Sequence, residues 1–300
     1  MKYLLAIITS ILFTVFIHGQ QDILLTNFSA NSLFLNPAYA GSNGYKQGSV
    51  FFNYRDQWMG LDGSPKTMMV GGENNLFNDR VGLGGSISRE SIGIDTRIDL
   101  LTNSAYRLKF ENDNEYLSFG LRVGFHLFSS DFGLVNYSGG QDLVYDGQND
   151  QFSVLTVGTG IYYTNRNSYV GFSIPAIAAI SQSNNEYKSR HFYLHAGSKL
   201  YFNDHNDLAL EPTVLLKYEF AAPIQYSVGA KFWLLQQFGI GALYRSEDGI
   251  AVSSHLEINR SLDLGVSYDF NTSELSQDNV GSVEVFVGYR INRDDNDPFR

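Results

Sequence analysis

A chain of 300 residues with a formal net charge of −10 has no basic footprint for nucleic acid. It contains no cysteine, which removes disulfides, thiol nucleophiles and thiolate metal ligands together. Only 17% of its residues are charged while 14% are aromatic, and Gly (29), Phe (22) and Tyr (19) far outnumber Pro (6) and Trp (2), a balance that suits many strands joined by tight turns.

The chain opens with Lys2 and an apolar run from Tyr3 to Ile17, broken only by Thr9, Ser10 and Thr14, before His18-Gly19-Gln20-Gln21-Asp22. A short basic start, an apolar core and a small or polar close read as a secretory signal peptide over 1–20, cleaved near Gly19 or Gln20. The run is too short to cross a bilayer comfortably, since a spanning helix needs about 20 apolar residues. No later stretch approaches such a helix. The mean hydropathy of −0.16 is low for a helical membrane protein and suits a barrel with a wet interior.

Residues 21–46 come next and contain Leu35-Asn36-Pro37-Ala38-Tyr39-Ala40-Gly41. Proline and small residues argue against a strand here. Phe28, Leu33, Phe34, Leu35 and Tyr39 make the segment too apolar to extend into water. It reads either as a plug folded against or inside a barrel or as a periplasmic lead-in.

From residue 47 the apolar period is two. Leu117, Phe119, Leu121, Val123, Phe125 and Leu127 alternate with Ser118, Gly120, Arg122, Gly124 and His126; Leu262, Leu264, Val266, Tyr268 and Phe270 alternate with Asp263, Gly265, Ser267 and Asp269. Each such segment has one greasy and one polar face. The pattern predicts about fourteen strands, or twelve if weak segments merge. In chain order they cover 47–57, 64–75, 79–90, 95–109, 115–128, 152–165, 168–177, 190–202, 207–220, 223–234, 236–246, 249–259, 261–270 and 281–292. Many are long enough for the roughly 9–11 residues of a membrane-crossing strand, beyond the usual globular length. The three longest connections, 129–151, 178–189 and 271–280, fall on one side, where outer loops belong; barrels pair long outer loops with short periplasmic turns. The expected fold is therefore an all-β, antiparallel transmembrane barrel over 47–292, followed by a short periplasmic tail, 293–300.

Read inward, the polar faces give a charged lumen: Arg107, Arg122, His126, His195, Lys199, Glu211, Lys217, Glu219, Lys231, Arg245, Glu257, Asp263, Asp269, Glu284 and Arg290. Mixed signs favour an internal ion-pair lattice over a path selective for one solute. Aromatics near strand ends (Tyr54, Trp58, Tyr106, Tyr162, Tyr163, Tyr169, Tyr201, Trp233, Tyr244, Tyr289) are candidates for the two interfacial girdles, and ordinary β-propensity accounts for them equally well.

Catalysis has little support. The histidines show no HExxH spacing, and no GxSxG elbow is present. His191 and His195 share a strand face about 13 Å apart, too far for one metal. Gly82-Leu83-Gly84-Gly85 lacks the GK[ST] of a phosphate loop, and glycines in barrel strands mark bends or close packing. No cofactor or metal is expected. A serine–histidine pair built across strands, as in an outer-membrane lipase, is the one enzymatic reading the sequence leaves, with His126 or His255 as its base.

Several blocks resemble a known family. The Asn36-Pro37-Ala38-Tyr39-Ala40-Gly41 stretch is similar to the N-terminal signature of the PorP/SprF family of type IX secretion membrane proteins. Arg55-Asp56-Gln57-Trp58-Met59-Gly60, with Pro65 and Thr67 behind it, resembles that family's "RxQW…G…PxT" stretch, Asp56 being a small departure. Asp79-Arg80-Val81-Gly82-Leu83-Gly84 resembles a third block, and Leu117–Gly124 a further one. The resemblance implies an outer-membrane barrel of Bacteroidota, without enzymatic activity, working beside type IX secretion subunits. It implies a role in export or surface attachment of partner proteins with a C-terminal sorting domain, gliding adhesins among them. Asn36, Pro37, Ala38, Tyr39 and Gly41 would then form the plug motif, and Arg55, Gln57, Trp58, Gly60, Pro65, Asp79, Arg80 and Gly82 the family motif. Aromatics in the long loops (Phe132, Tyr137, Tyr145) are candidate anchors for a partner. The other expectation is a plugged or gated channel for small solutes.

Overall fold

The computed structural model describes residues 23, 25–42, 48–77, 79–110, 115–134, 150–181, 190–202, 205, 207–220, 222–246, 248–259, 261–271 and 280–291. The expected signal peptide, the tail 293–300, Tyr137 and Tyr145 lie outside the described residues.

Fifteen strand segments follow one another: β1 (Ser49–Asp56), β2 (Lys66–Leu76), β3 (Val81–Ile92), β4 (Asp95–Lys109), β5 (Tyr116–Ser130), β6 (Asp150–Thr164), β7 (Ser168–Ser181), β8 (His191–Ser198), β9 (Leu200–Tyr201), β10 (Leu208–Glu219), β11 (Gln225–Leu234), β12 (Phe238–Arg245), β13 (Gly249–Ile258), β14 (Leu262–Asn271) and β15 (Ser282–Arg290). Segment β9 continues β8 beyond Lys199, and both pair with β10. The wall therefore has 14 strands. Every pairing is antiparallel and joins neighbours in sequence, until β15 returns to pair with β1 from Ser49↔Arg290 to Asp56↔Val283. That last pairing closes the sheet into a barrel and removes the two edges an open sheet would expose.

The alternation read from the sequence is real, and it is inverted relative to a soluble protein. On β5 the apolar Leu121 is 61% exposed while its neighbour Arg122 is 3% exposed. Val70, Ile87, Leu100, Phe125 and Leu155, matched rung to rung across β2–β6, all face outward. A greasy outer belt around a polar interior is stable only with lipid outside.

The expected strands match with boundaries shifted by a few residues, with one informative exception. Strand seven was expected to stop at 177, yet β7 runs to Ser181. Pairing with β6 passes from Thr159↔Ile174 to Val157↔Ala178 across a bulge, which absorbs Pro175. A proline gives no N–H to a ladder, so it sits at such an irregularity. The girdle assignment also needs correction. Tyr162 (4% exposed) and Trp233 (8%) are buried inside the wall, and Tyr169 and Tyr201 line the lumen with them. Tyr106, Tyr244 and Tyr289 do face outward. Strand parity, which the tyrosine count could not reveal, separates the two sets.

Residues 25–42 lie within this wall. They bond to inward side chains or backbone of β1, β2, β4–β8 and β11–β15. A segment touching strands all the way round a closed sheet has to be inside it. Its apolar side chains Leu25, Phe28, Leu33, Phe34 and Leu35 form the core with Phe51, Met69, Leu101, Tyr193 and Phe286 from the wall.

Candidate functional site: the inner segment and its sockets

The inner segment is held at two places. The first is near the rim where β1 begins. Asn36 is extended (φ −136°), as a residue before proline tends to be, and Pro37–Tyr39 forms a single 3-10 turn behind it. The Asn36 side chain caps that turn by accepting from the Ala38 N–H at 2.9 Å. Its amide donates to the carbonyls of Ile161 on β6 (3.0 Å) and Phe172 on β7 (3.3 Å) and lies 3.4 Å from His195 Nε2 on β8. One fully buried side chain thus ties three wall strands to the turn.

Wall side chains satisfy the carbonyls that this irregular backbone leaves open. Arg122 donates to Leu33 O at 2.6 Å, Ser173 to Leu35 O at 2.7 Å and Arg107 to Ala40 O at 2.8 Å. Gly41, with φ +70°, turns the chain out, and its N–H donates to Glu73 at 2.6 Å. Buried backbone groups need such partners, and non-regular backbone at membrane depth is tolerated only where protein supplies them.

The wall is thinned to receive this turn. A side chain at Gly82 would collide with Ala40 O, at Gly120 with Ala38, at Gly160 with the Asn36 carboxamide, and at Gly171 with His195. Four glycines on β3, β5, β6 and β7 therefore form a socket: Gly82 and Gly120 meet the backbone of the turn, and Gly160 and Gly171 leave room for the Asn36 and His195 side chains.

The second attachment lies towards the opposite rim. Glu284 on β15 accepts from the N–H groups of Thr26 (2.7 Å) and Asn27 (3.0 Å). Arg55 on β1 pairs with Asp269 at 2.6 Å and Glu284 at 3.3 Å and donates to Thr26 Oγ1 at 2.8 Å. Arg245 lies 3.4 Å from Asp269 and donates to Leu25 O at 3.2 Å. His255 Nε2 meets Asn27 Oδ1 at 2.9 Å. Each of these two guanidinium groups and two buried carboxylates also bonds to the inner segment, and Asp248 lies 3.6 Å from Arg245 at the margin of the cluster. Such a cluster is favourable only as a complete set.

The family-motif residues sort by position. Arg55 and Gly82 touch the inner segment. Gln57, Trp58, Gly60 and Pro65 shape the β1–β2 connection: Gln57 N donates to Pro65 O, Trp58 N to Ser282 Oγ, and Trp58 and Gly60 have positive φ. Asp79, also at positive φ, pairs with Lys109, and Arg80 O accepts from Arg107 N beside the guanidinium that holds Ala40. The third block and the Asn-Pro-Ala-Tyr-Ala-Gly stretch thus meet at Ala40. Sequence reading placed Arg245, Asp269 and Glu284 in the lumen but gave no sign that they grip Thr26 and Asn27, which carry no motif. Phe132 sits in a 3-10 turn after β5 and is half-buried.

Space remains at the β1-start rim as a cavity of about 690 Å³, lined by Tyr39, Tyr116, Tyr162, Tyr169, Tyr201 and Trp233 with Lys199, Glu211 and Lys231 among them. The histidine considered as a catalytic base, His126, lies between Asp99 Oδ1 (2.7 Å) and Thr156 Oγ1 (2.9 Å). The order resembles a nucleophile–base–acid relay. Thr156 is 1% exposed, and the adjoining space of about 30 Å³ holds roughly one water and no ester. His255 is occupied by Asn27. His126 adjoins only the small space, while His255 borders the cavity of about 690 Å³ with its Nε2 taken by Asn27.

Solved structures of similar shape are outer-membrane barrels. They include the outer membrane protein Omp33 of Acinetobacter baumannii (TM-score 0.46, 10% identity, 82% of this chain and 99% of that one). The translocator domain of the autotransporter NalP from Neisseria meningitidis (0.44, 12%, 88% and 95%) and the KdgM porin in complex with disordered oligogalacturonate (0.42, 9%, 81% and 99%) are others. No curated protein matches the sequence. The family model described as type IX secretion system membrane protein PorP/SprF matches residues 17–289. The chain, an outer-membrane barrel whose signature residues meet around an internal segment, belongs to the PorP/SprF family of type IX secretion system membrane proteins.

Proposed function

We propose that this barrel is a plugged, non-enzymatic accessory of the type IX secretion system, which helps export or surface-anchor a partner protein bearing a C-terminal sorting domain. Residues 21–46 act as its plug. The observation that carries the reading is the double attachment of the inner segment, by the glycine socket at one end and the Arg55–Asp269–Glu284 cluster at the other. A segment fixed to nearly every strand stiffens the barrel and blocks a through-path, which a platform for partners needs and an open pore does not. Long connections at one rim, including that bearing Phe132, would present recognition surfaces on a rigid frame. The signal peptide would deliver the chain for export, and the rim where β1 begins would face the periplasm.

The test is chemical crosslinking in native outer membranes followed by purification of this protein and mass spectrometry of what is attached. Secretion-machinery subunits or a protein with a C-terminal sorting domain are expected. Recovery of the barrel alone, at good yield, would instead support the plugged or gated channel.

A further inference from the structure

The cavity of about 690 Å³ has one wall whose charges are left unmatched. Its volume lies within the roughly 300–1,000 Å³ of small-ligand sites. Glu211 on β10 stands opposite Lys231 on β11. The register on either side, Leu210↔Leu200 and Thr213↔Gly197, sets Lys199 level with Glu211 on its other flank. A carboxylate thus lies between two ammonium groups on one rung, and all three residues line the cavity. Opposite charges in directly facing positions, with Cβ atoms about 4.5–5.5 Å apart, attract and stabilise a sheet.

Here they do not pair. Glu211 Oε2 accepts from Trp233 Nε1 at 2.6 Å, and Lys231 Nζ donates to Ser29 Oγ at 2.9 Å. Lys199 Nζ lies 4.5 Å from the centroid of the Trp233 ring. Among the described residues neither ammonium forms an ion pair. The rung therefore carries one positive charge in excess. Tyr169 on β7 and Asp263 on β14, also of the lining, each bury a side-chain oxygen that has no hydrogen-bond partner. Such atoms are few in native interiors, and they leave donor and acceptor capacity for something else.

We propose that this cavity receives the carboxylate end of a partner polypeptide, held between Lys199 and Lys231. A monoanion balances the excess charge of the rung. A phosphate ester, with about −1.5 to −2 charge at pH 7, would overshoot it beside Glu211. Capture of a terminal carboxylate is a recurrent mode of peptide recognition. Main-chain amides of the same peptide both donate and accept, which suits the spare capacity of Asp263 and Tyr169, and Tyr169 and Tyr201 offer ring surface to its side chains. The lining runs from Ser29 of the inner segment outward to Arg166 and Gln236 in the turns, so a chain enters end-first from the rim. The pocket does not depend on the secretion role proposed above.

The experiment offers the full-length barrel, purified folded in detergent and immobilised, two libraries of random pentapeptides. One library has free C-terminal carboxylates and the other is amidated, and mass spectrometry quantifies what is retained. Free acids are expected to be retained about tenfold better, the worth of one hydrogen bond to a charged group. Lys199→Met combined with Lys231→Met is expected to abolish that preference in a barrel that keeps its heat-modifiable gel migration, while Leu155→Ala on the outer belt leaves it unchanged. Acetate, a carboxylate without a chain, should displace the peptides from the wild-type protein, which reads the same contact without any substitution. Equal retention of the two libraries, retention of neither, or a preference that survives the double substitution overturns the pocket. If peptides are retained only after the chain is cut back behind Ile291, its own end fills the cavity and the partner reading falls.

Discussion

The carbonyl oxygen of Ala40 occupies the place a side chain would take on Gly82. A residue of the inner segment and a residue of β3 are thereby in direct backbone contact, and the wall cannot thicken there without moving the segment. Gly82→Ala and Gly120→Ala are expected to loosen residues 36–41 while the outer belt is untouched. Overpacking of this kind costs about 1–3 kcal/mol. Hydrogen exchange should show faster exchange in 36–41 for both variants. Unchanged protection would mean the contact is not tight.

Asn36 replaces several backbone partners with one side chain. Asn36→Ala removes the cap on Ala38 N–H and the donor to Ile161 O and Phe172 O. Each buried group left unpaired costs about 1–3 kcal/mol. Asn36→Ala combined with Pro37→Ala, which also frees the backbone before the 3-10 turn, is expected to raise permeability of the outer membrane to large antibiotics. Permeability equal to wild type would sink the plug.

Arg55 joins two carboxylates and Thr26 in one buried group. Arg55→Met removes the guanidinium that joins Asp269 to Glu284 and leaves Arg245 beside Asp269 as the remaining one, and breaking a buried set by removing one partner costs about 3–5 kcal/mol. The urea midpoint of the folded barrel should fall accordingly. Arg55→Lys should recover only part of it, because an ammonium cannot reproduce the fork that reaches Asp269 and Thr26 together. The cluster is shielded from solvent, so raising the salt concentration should change the wild-type midpoint little. A strong salt effect would place these charges in water instead.

His126 tests whether the Asp99–His126–Thr156 line is structural. His126→Ala is expected to lower stability by leaving Asp99 and Thr156 without it, and ester hydrolysis by the purified barrel is expected to be at background before and after the change. Hydrolysis present in wild type and lost in this variant would revive a catalytic role.

Much of the wall was legible because period-two alternation is local: each strand declares its own two faces. The inversion of those faces, greasy side outward, followed from strand length and low charge. The extent of β7 was not legible, since Pro175 reads as a stop and only the partner strand β6 shows that pairing resumes at Ala178. The direction of aromatic residues failed for a related reason. Tyr162, Tyr169, Tyr201 and Trp233 suit either an interface or a lumen by composition, and their parity along the strand decides. For the inner segment, composition implied burial, and the Asn-Pro-Ala-Tyr-Ala-Gly stretch drew attention to the right residues. Its other grip was invisible, because Thr26 and Asn27 use backbone N–H groups that every residue possesses, and Glu284 is separated from them by nearly the whole chain.

The most direct test of the account is electrical. Full-length protein, purified folded and placed in a planar bilayer, should show conductance near background, and deletion of 21–46 should produce stable open steps in a barrel that still folds. Large steady conductance from the wild-type protein would contradict a fixed plug and make the protein a channel.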